Sequence, residues 1–353
     1  MVPLKPIALY KSDDYFRLLP RLISQTKSGG RVLLMSMTFD PEEPNVTPIM
    51  SELIAAAKRG VHVDLIIDAL AFSLDKHHLP TGPTMLLHGP EASRQLYFKQ
   101  KYQLLQELCA SGGQYHIING PTKRLSNPYA GRSHIKLAVI NDVAFIGGCN
   151  LDSAQVDFMM RFKDTKTVNW LYGLAIQIAE GNSAGRALHN TDQEFIVDTQ
   201  TKIFIDAGVP KQSLIYKTAL DFIDSAQEWL VMTCQYFPNA TTAKHLAAAV
   251  HRGVDVRLYY NHPRHHALHM RPVQHAVIVA EKIHQPSILF AHQLPKDARR
   301  FHAKLLASER GAMIGSHNYV TQGVNFGTAE ITVQRYDSAF AQNALNILKE
   351  YLP

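Results

Sequence analysis

Two stretches decide the fold. The first is His134-Ile135-Lys136, followed by the apolar run Leu137-Ala138-Val139-Ile140 and then by Gly147-Gly148-Cys149-Asn150. The second is His302-Ala303-Lys304, followed by Leu305-Leu306-Ala307 and then by Gly315-Ser316-His317-Asn318. Each places an imidazole and an ammonium two residues apart at the edge of a strand. Side chains alternate there with period two, so both groups share one face. The pair of stretches offers two His, two Lys and two Asn to one pocket. Such a set suits a phosphate diester: one His attacks, the other handles protons, and Lys and Asn hold the anionic oxygens.

The surroundings repeat as well. Ala55-Ala56-Ala57-Lys58-Arg59-Gly60-Val61-His62-Val63-Asp64-Leu65 ends a helix at a glycine and opens a strand. Ala247-Ala248-Ala249-Val250-His251-Arg252-Gly253-Val254-Asp255-Val256-Arg257-Leu258 does the same. Gly60 and Gly253 are natural helix ends because glycine accepts the left-handed backbone required there. Arg31–Met37 and Trp229–Cys234 read as earlier apolar strands, so each half carries a βαβ unit and a parallel or mixed sheet covered by helices. Gly253 follows Gly60 by 193 residues, whereas His302 follows His134 by 168. The first half therefore holds about 25 extra residues, placed in a loop or lid within Ala69–Gln100. Periodicity fades through residues 180–215. The boundary is set near Gln200, giving halves 1–199 and 200–353, and Ala339–Leu352 reads as a closing amphipathic helix.

The 353 residues are 46% hydrophobic and 19% charged, ordinary for a folded chain and incompatible with wholesale disorder. The net charge of +6 favours anionic partners without choosing among them. Cys109, Cys149 and Cys234 form no CxxC pair and no zinc pattern, which fits a reducing compartment. No signal pattern opens the chain and no apolar run spans a bilayer. The expectation is a cytoplasmic protein whose contact with the inner membrane face is peripheral. The run Tyr259-Tyr260-Asn261-His262-Pro263-Arg264-His265-His266 reads as a solvated loop, since its His spacing fits no standard ligand set.

These residues resemble the phospholipase D superfamily, whose signature is His-x-Lys-x4-Asp followed by Gly-Gly/Ser-x-Asn. The resemblance covers nearly the whole chain. Asn141 and Glu309 stand at the two acidic positions; in the family that Asp is mostly structural. The family also sets a carboxylate downstream of each His to orient its ring. Arg161-Phe162-Lys163-Asp164-Thr165 looks like that segment in the first half and Gly327-Thr328-Ala329-Glu330-Ile331 in the second, making Asp164 and Glu330 the candidates. Gln235-Tyr236-Phe237-Pro238 and Arg252-Gly253-Val254-Asp255-Val256-Arg257 are similar to cardiolipin synthase runs.

The resemblance implies an α/β fold of two α-β-α sandwich halves with mixed sheets, a pseudo-twofold axis and one shared active site. It implies metal-independent cleavage of a phosphodiester through a phosphohistidine, with no cofactor. His134 is assigned as nucleophile and His302 as general acid/base, with the reverse left open by the near-symmetry of the motifs. Lys136, Lys304, Asn150 and Asn318 would hold phosphate oxygens, with Ser316 adding a hydrogen bond and Gly148 and Gly315 allowing close backbone approach. Three readings of the substrate compete. The first is a phospholipid, as in a cardiolipin synthase-like phosphatidyltransferase or a phospholipase D. The second is DNA or RNA, as in an endonuclease. The third is a catalytically silent scaffold. A lipid enzyme should have an apolar entrance, assigned to Leu70, Phe72, Leu74, Met85 and Leu86. Two motifs in one chain leave the oligomeric state open.

Overall fold

The computed structural model describes residues 7–72, 92–119, 130–153, 155–181, 192–266, 270–288 and 291–352. Two compact units emerge, one of residues 1–154 and 159–188, the other of residues 155–158 and 189–353.

The first unit is built on a seven-stranded mixed sheet. Its strands are β1 (Ile7–Lys11), β2 (Arg31–Ser36), β3 (His62–Asp68), β4 (Gln114–Ile118), β5 (Leu137–Ile140), β6 (Val143–Gly147) and β7 (Phe158–Phe162), in the order β1-β7-β6-β5-β2-β3-β4. β2, β3 and β4 run parallel, and β5, β6 and β7 are antiparallel additions. Parallel strands need helical crossovers. α1 (Ser12–Ser24), α2 (Thr47–Lys58), α3 (Ala92–Ala110) and α4 (Thr165–Gly181) supply the layers around them.

The helix α2 opens with proline in its first turn, where the missing N–H is harmless. It stops at Gly60, whose φ of 82° lets the chain turn into β3. Leu19 and Ile23 of α1 and Leu53 of α2 pack with Val32, Leu34, Leu65 and Phe145 in one core. The alternate residues Leu33 and Met35 are also buried, and α4 contacts β4, β5 and β6. The sheet is thus covered on both faces, which is why its strands read as continuous apolar runs.

The second unit repeats this plan. Its strands are β8 (Gln193–Ile196), β9 (Thr201–Ala207), β10 (Trp229–Cys234), β11 (Asp255–Tyr260), β12 (His292–Gln293), β13 (Leu305–Ser308), β14 (Gly311–Gly315) and β15 (Ala329–Arg335), in the order β12-β11-β10-β13-β14-β15-β9-β8. Read from the other edge, this is the first sheet strand for strand, with β8 added. That strand, ahead of the Gln200 boundary expected from sequence, pairs with β9 and so belongs to the second unit. The helices are α5 (Leu214–Ser225), α6 (Thr241–His251), α7 (Arg271–His284), α8 (Thr321–Phe326) and α9 (Ser338–Lys349). Phe222, Leu246, Leu230, Met232, Leu258 and Met313 share its core. Each such fully buried side chain contributes about 1.5–3 kcal/mol.

Within the insertion read as a loop over Ala69–Gln100, residues from Ala92 onward are helical, and Ala69–Phe72 form a 3-10 turn. Leu74, Met85 and Leu86 lie outside the described residues. No helix among the described residues is long and apolar enough to cross a membrane.

Gly315, at the end of β14, has no room for a side chain. A Cβ there would lie 2.3 Å from the Ile331 carbonyl oxygen and 2.5 Å from the Thr332 Cα. Both obstacles are backbone, so relief requires moving β15. Gly315→Ala is expected to cost roughly 1–3 kcal/mol in chemical denaturation; an unchanged midpoint would contradict this packing.

Candidate active site

The registers of the central hairpins put the motif residues at one end of each sheet. Leu137 pairs with Met35 near the end of β2 and with Ile146 near the end of β6. His134 and Lys136 therefore precede β5 where β2 and β6 finish, and Asn150 follows three residues after β6. Asn150 Oδ1 lies 3.4 Å from the hydroxyl of Ser36, the last residue of β2. That hydroxyl donates to the Thr38 carbonyl at 2.7 Å and accepts from the Leu151 N–H at 2.9 Å. In the second unit Leu305 pairs with Thr233 and Ile314 in the same way. The carboxyl ends of parallel strands are where open α/β sheets bind ligands.

The four His-x-Lys side chains are withdrawn from water. His134 is 5% exposed, His302 6%, Lys136 0% and Lys304 1%. Each ammonium turns back on its own motif: Lys136 Nζ donates to the His134 carbonyl at 2.7 Å, and Lys304 Nζ to the His302 carbonyl. Two buried cations of this kind require fixed anionic or carbonyl partners, and they are held ready rather than recruited.

The imidazole of His302 is fixed by a carboxylate that the sequence reading missed. Its Nδ1 hydrogen-bonds Asp157 Oδ2 at 2.7 Å, and Lys304 Nζ lies 4.0 Å from the same oxygen. The other oxygen of Asp157 accepts from the Phe158 N–H at 2.8 Å. Residues 155–158 form part of the second unit, where the Val156 carbonyl accepts from the N–H groups of His302 and Ala303, each at 2.9 Å. A carboxylate on Nδ1 selects the tautomer and leaves Nε2 for chemistry.

Strand register explains why Asp164 is not such a residue. Gly147 pairs with Met159 and Gly315 with Thr332. The position matching Glu330 is therefore Asp157, and the position matching Asp164 is Asp337. Asp164 Oδ1 accepts from the Thr167 N–H at 2.8 Å at the start of α4, and Asp337 Oδ1 from the Phe340 N–H at 3.0 Å at the start of α9. Both are helix N-caps. Glu330 is buried and accepts from the Ser316 hydroxyl, so Ser316, expected on a substrate oxygen, directs its proton to this carboxylate. It is Asp157, and not Glu330, that meets Nδ1 of His302. His317 Nδ1 accepts from the Tyr319 N–H at 2.9 Å. Burial holds its pKa below the ordinary value against the pull of Glu330. Asn318 Oδ1 is buried without a hydrogen-bond partner. That atom is left to a ligand or a water, and the two ends of an amide exchange by a simple flip.

A second pair of residues escaped the sequence reading. Asp68, which ends β3, accepts from the Ser133 N–H and Asn119 Nδ2 at 2.8 and 2.7 Å, and from the Leu70 N–H and Arg132 at 2.8 and 3.1 Å. Burial pushes its carboxyl above the ordinary range against the pull of Arg132, Asn119 and the two N–H groups. Asn261, just after β11, accepts from the Phe301 N–H at 3.0 Å and donates to the Phe301 carbonyl at 2.6 Å. Ser133 and Phe301 immediately precede the two His, so each unit grips the residue before its own imidazole. The available signal was the spacing: Asn261 follows Asp68 by the same 193 residues that separate Gly253 from Gly60. The run from Tyr259 to His266 is accordingly not a solvated loop, since Tyr260, Asn261, Pro263 and His266 are buried.

Asn141 and Glu309 act at the opposite end of the sheets. Asn141 Oδ1 accepts from the Arg31 N–H at 3.1 Å, and Glu309 from the N–H groups of Gln227, Glu228 and Trp229 at 3.0, 3.4 and 3.3 Å. Each anchors the start of the strand that neighbours the motif strand. Burial raises the Glu309 carboxyl, but the backbone N–H groups outweigh it and hold the pKa below the ordinary value.

A family model described as cardiolipin synthase, PLD-like domain, matches residues 19–167 and 219–352, and the chain belongs to that family. Both His-x-Lys stretches fall inside the matched segments. Phosphatidylserine synthase from Haemophilus influenzae Rd KW20 is similar in structure, with a TM-score of 0.70 and 12% identity, over 99% of this chain and 87% of that one. Polyphosphate kinase from Porphyromonas gingivalis gives a TM-score of 0.57 and 13% identity, over 97% of this chain and 50% of that one. At such identities the likeness is one of fold. No curated protein matches the sequence.

The two grips differ in charge, which yields a test. Asp68→Ala leaves Arg132 buried without its carboxylate and should cost about 3–5 kcal/mol in chemical denaturation. Asp68→Asn keeps an acceptor for the Ser133 N–H, as Asn261 provides for Phe301, and should cost clearly less. Equal losses would show that the grip on Ser133 is immaterial.

Proposed function

We propose that the protein is a metal-independent phosphodiesterase or phosphatidyltransferase acting on phospholipids. The observation that carries this reading is His302, buried, with Nδ1 on Asp157 and a buried lysine two residues on. Family membership supplies the second support, because the matched segments contain both motifs. The description of that family, and the phosphatidylserine synthase among similar folds, favour a lipid over a nucleic acid.

In this mechanism His134 Nε2 attacks phosphorus and the bond to the leaving oxygen breaks. His302, protonated, gives that oxygen its proton. The resulting phosphohistidine is then opened by water or an alcohol, whose proton passes to His302 as the P–N bond breaks. Splitting one displacement into two lowers each barrier. A group with pKa near neutrality serves both proton transfers. Asp157 stabilises the imidazolium form, and Lys136, Lys304, Asn150 and the amide of Asn318 balance charge on the phosphoryl oxygens.

His302→Ala is expected to lower kcat about 10³-fold or more with the fold intact, and Asp157→Asn about 10²-fold or more with KM little changed. The assay is product analysis with EDTA present, on phosphatidylglycerol vesicles and separately on single-stranded DNA. Lipid turnover lost in His302→Ala is the expected result. Turnover that persists in that variant defeats the assignment, and cut DNA with intact lipid transfers the reading to a nuclease.

A further inference from the structure

The helix α7 presents an apolar stripe to solvent. Seven large hydrophobic residues are exposed among the described residues, and Val273, Val279 and Ile283 of α7 are three of them, Ile283 at 69%. Together with Pro272, Ala276 and Ala280 they recur at helical spacing along one side. Most of them line an open groove of about 570 Å³, beside His275 and His284. The opposite side of the helix is engaged: Gln274 and Ile278 are buried, and Glu281 accepts from the Ala240 N–H at 2.7 Å.

A basic rim adjoins this stripe. Arg271, the first residue of α7, donates from Nε to the His266 carbonyl at 3.2 Å. His265 Nε2 donates to the Lys296 carbonyl at 2.9 Å, bringing the segment Lys296–Arg300 alongside. His266 stacks on Tyr236 with ring centroids 5.0 Å apart. Arg264 and Lys296 are exposed, and Asp297 is the one acid in Lys296–Arg300. Burial first, then Arg300, His265 and Arg271, push the His266 pKa down to about 4. Burial first, then His265, Arg264 and Lys296, lower the His262 pKa. Arg300 stands two residues before His302, next to the Phe301 that Asn261 holds.

We infer that this face, the α7 stripe with Arg264, Arg271, Lys296 and Arg300 beside it, docks on an anionic phospholipid bilayer. Apolar side chains enter the boundary between headgroups and acyl chains. Each nearby Lys or Arg gains from the negative surface potential, an attraction that salt screens. Pairing with a second copy is disfavoured by the same charges, since a twofold contact would set the basic rim against itself. The inference builds on the phospholipid reading, for it names the surface from which substrate would reach His302. Binding is nevertheless measured without turnover.

The test is co-sedimentation of the full chain with vesicles of phosphatidylcholine alone and of phosphatidylcholine mixed with phosphatidylglycerol. Binding should be about tenfold stronger or more to the anionic vesicles and should weaken with salt. Val279→Glu with Ile283→Glu should reduce it about tenfold or more, with an unchanged circular dichroism spectrum because both sites are exposed. Arg271→Gln should weaken the preference for anionic vesicles. Turnover of monomeric short-chain phosphatidylglycerol by the doubly substituted protein should match wild type. Equal vesicle binding by wild type and the doubly substituted protein overturns the inference. So does a wild-type dimer that the same substitutions dissolve, which would give the stripe to a second copy. Vesicle binding as described, with no lipid turned over by wild type, leaves the docking face standing and removes the proposed reaction.

Discussion

The antiparallel pairing of the motif strand between two neighbours governs everything else in each unit. β5 lies between β2 and β6, and β13 between β10 and β14, in matching registers. That register brings His-x-Lys and the Asn beyond the next strand to one edge of the sheet. A slip of one residue would carry both imidazole and ammonium to the other face. Asn141 and Glu309 hold the far end of the same pairing through backbone N–H groups, while Asp68 and Asn261 hold the near end. Each motif strand is thus pinned at both ends by side chains that never need to touch a substrate.

Such a site is costly to build. Asp68 with Arg132, and Asp157 with His302 and Lys304, are ionisable groups almost without solvent contact. Desolvation of this kind yields little net stability even when the partners are well placed. What it provides is preorganisation: donors and acceptors are already aimed, and no water must be rearranged when charge develops. Stability comes instead from the apolar layers, repeated in the two units around Leu34 and Phe145 and around Met232 and Met313.

Much of this was legible in the sequence. Glycine at each helix end, alternating strands after it, and the duplicated His-x-Lys gave the α/β class and the repeat, and strand order in the two sheets matches. The orienting carboxylate was misread because chain counting replaced register. Glu330 follows His302 by 28 residues, and Asp157 follows His134 by 23, because the connection after the Asn is shorter in the first half. Asp164, at 30, looked closer. Its position just before Thr165-Lys166-Thr167 marked it instead as a helix cap. Asp68 and Asn261 were hidden because one is charged and the other neutral, and their shared spacing acquires a meaning only through the backbone N–H that each receives. The buried side of Tyr259–His266 was masked by its polar composition: Asn261 and His266 there are buried among protein groups.

The central claim is that an imidazole of this chain bonds covalently to phosphorus. The direct measurement is mass spectrometry of the protein quenched at high pH during turnover of short-chain phosphatidylglycerol, with peptides mapped for acid-labile adducts. The account predicts a phosphatidyl adduct on His134 that accumulates in the Asp157→Asn protein, where its breakdown slows. An adduct on a serine, or sustained turnover with no covalent species in either protein, would contradict it.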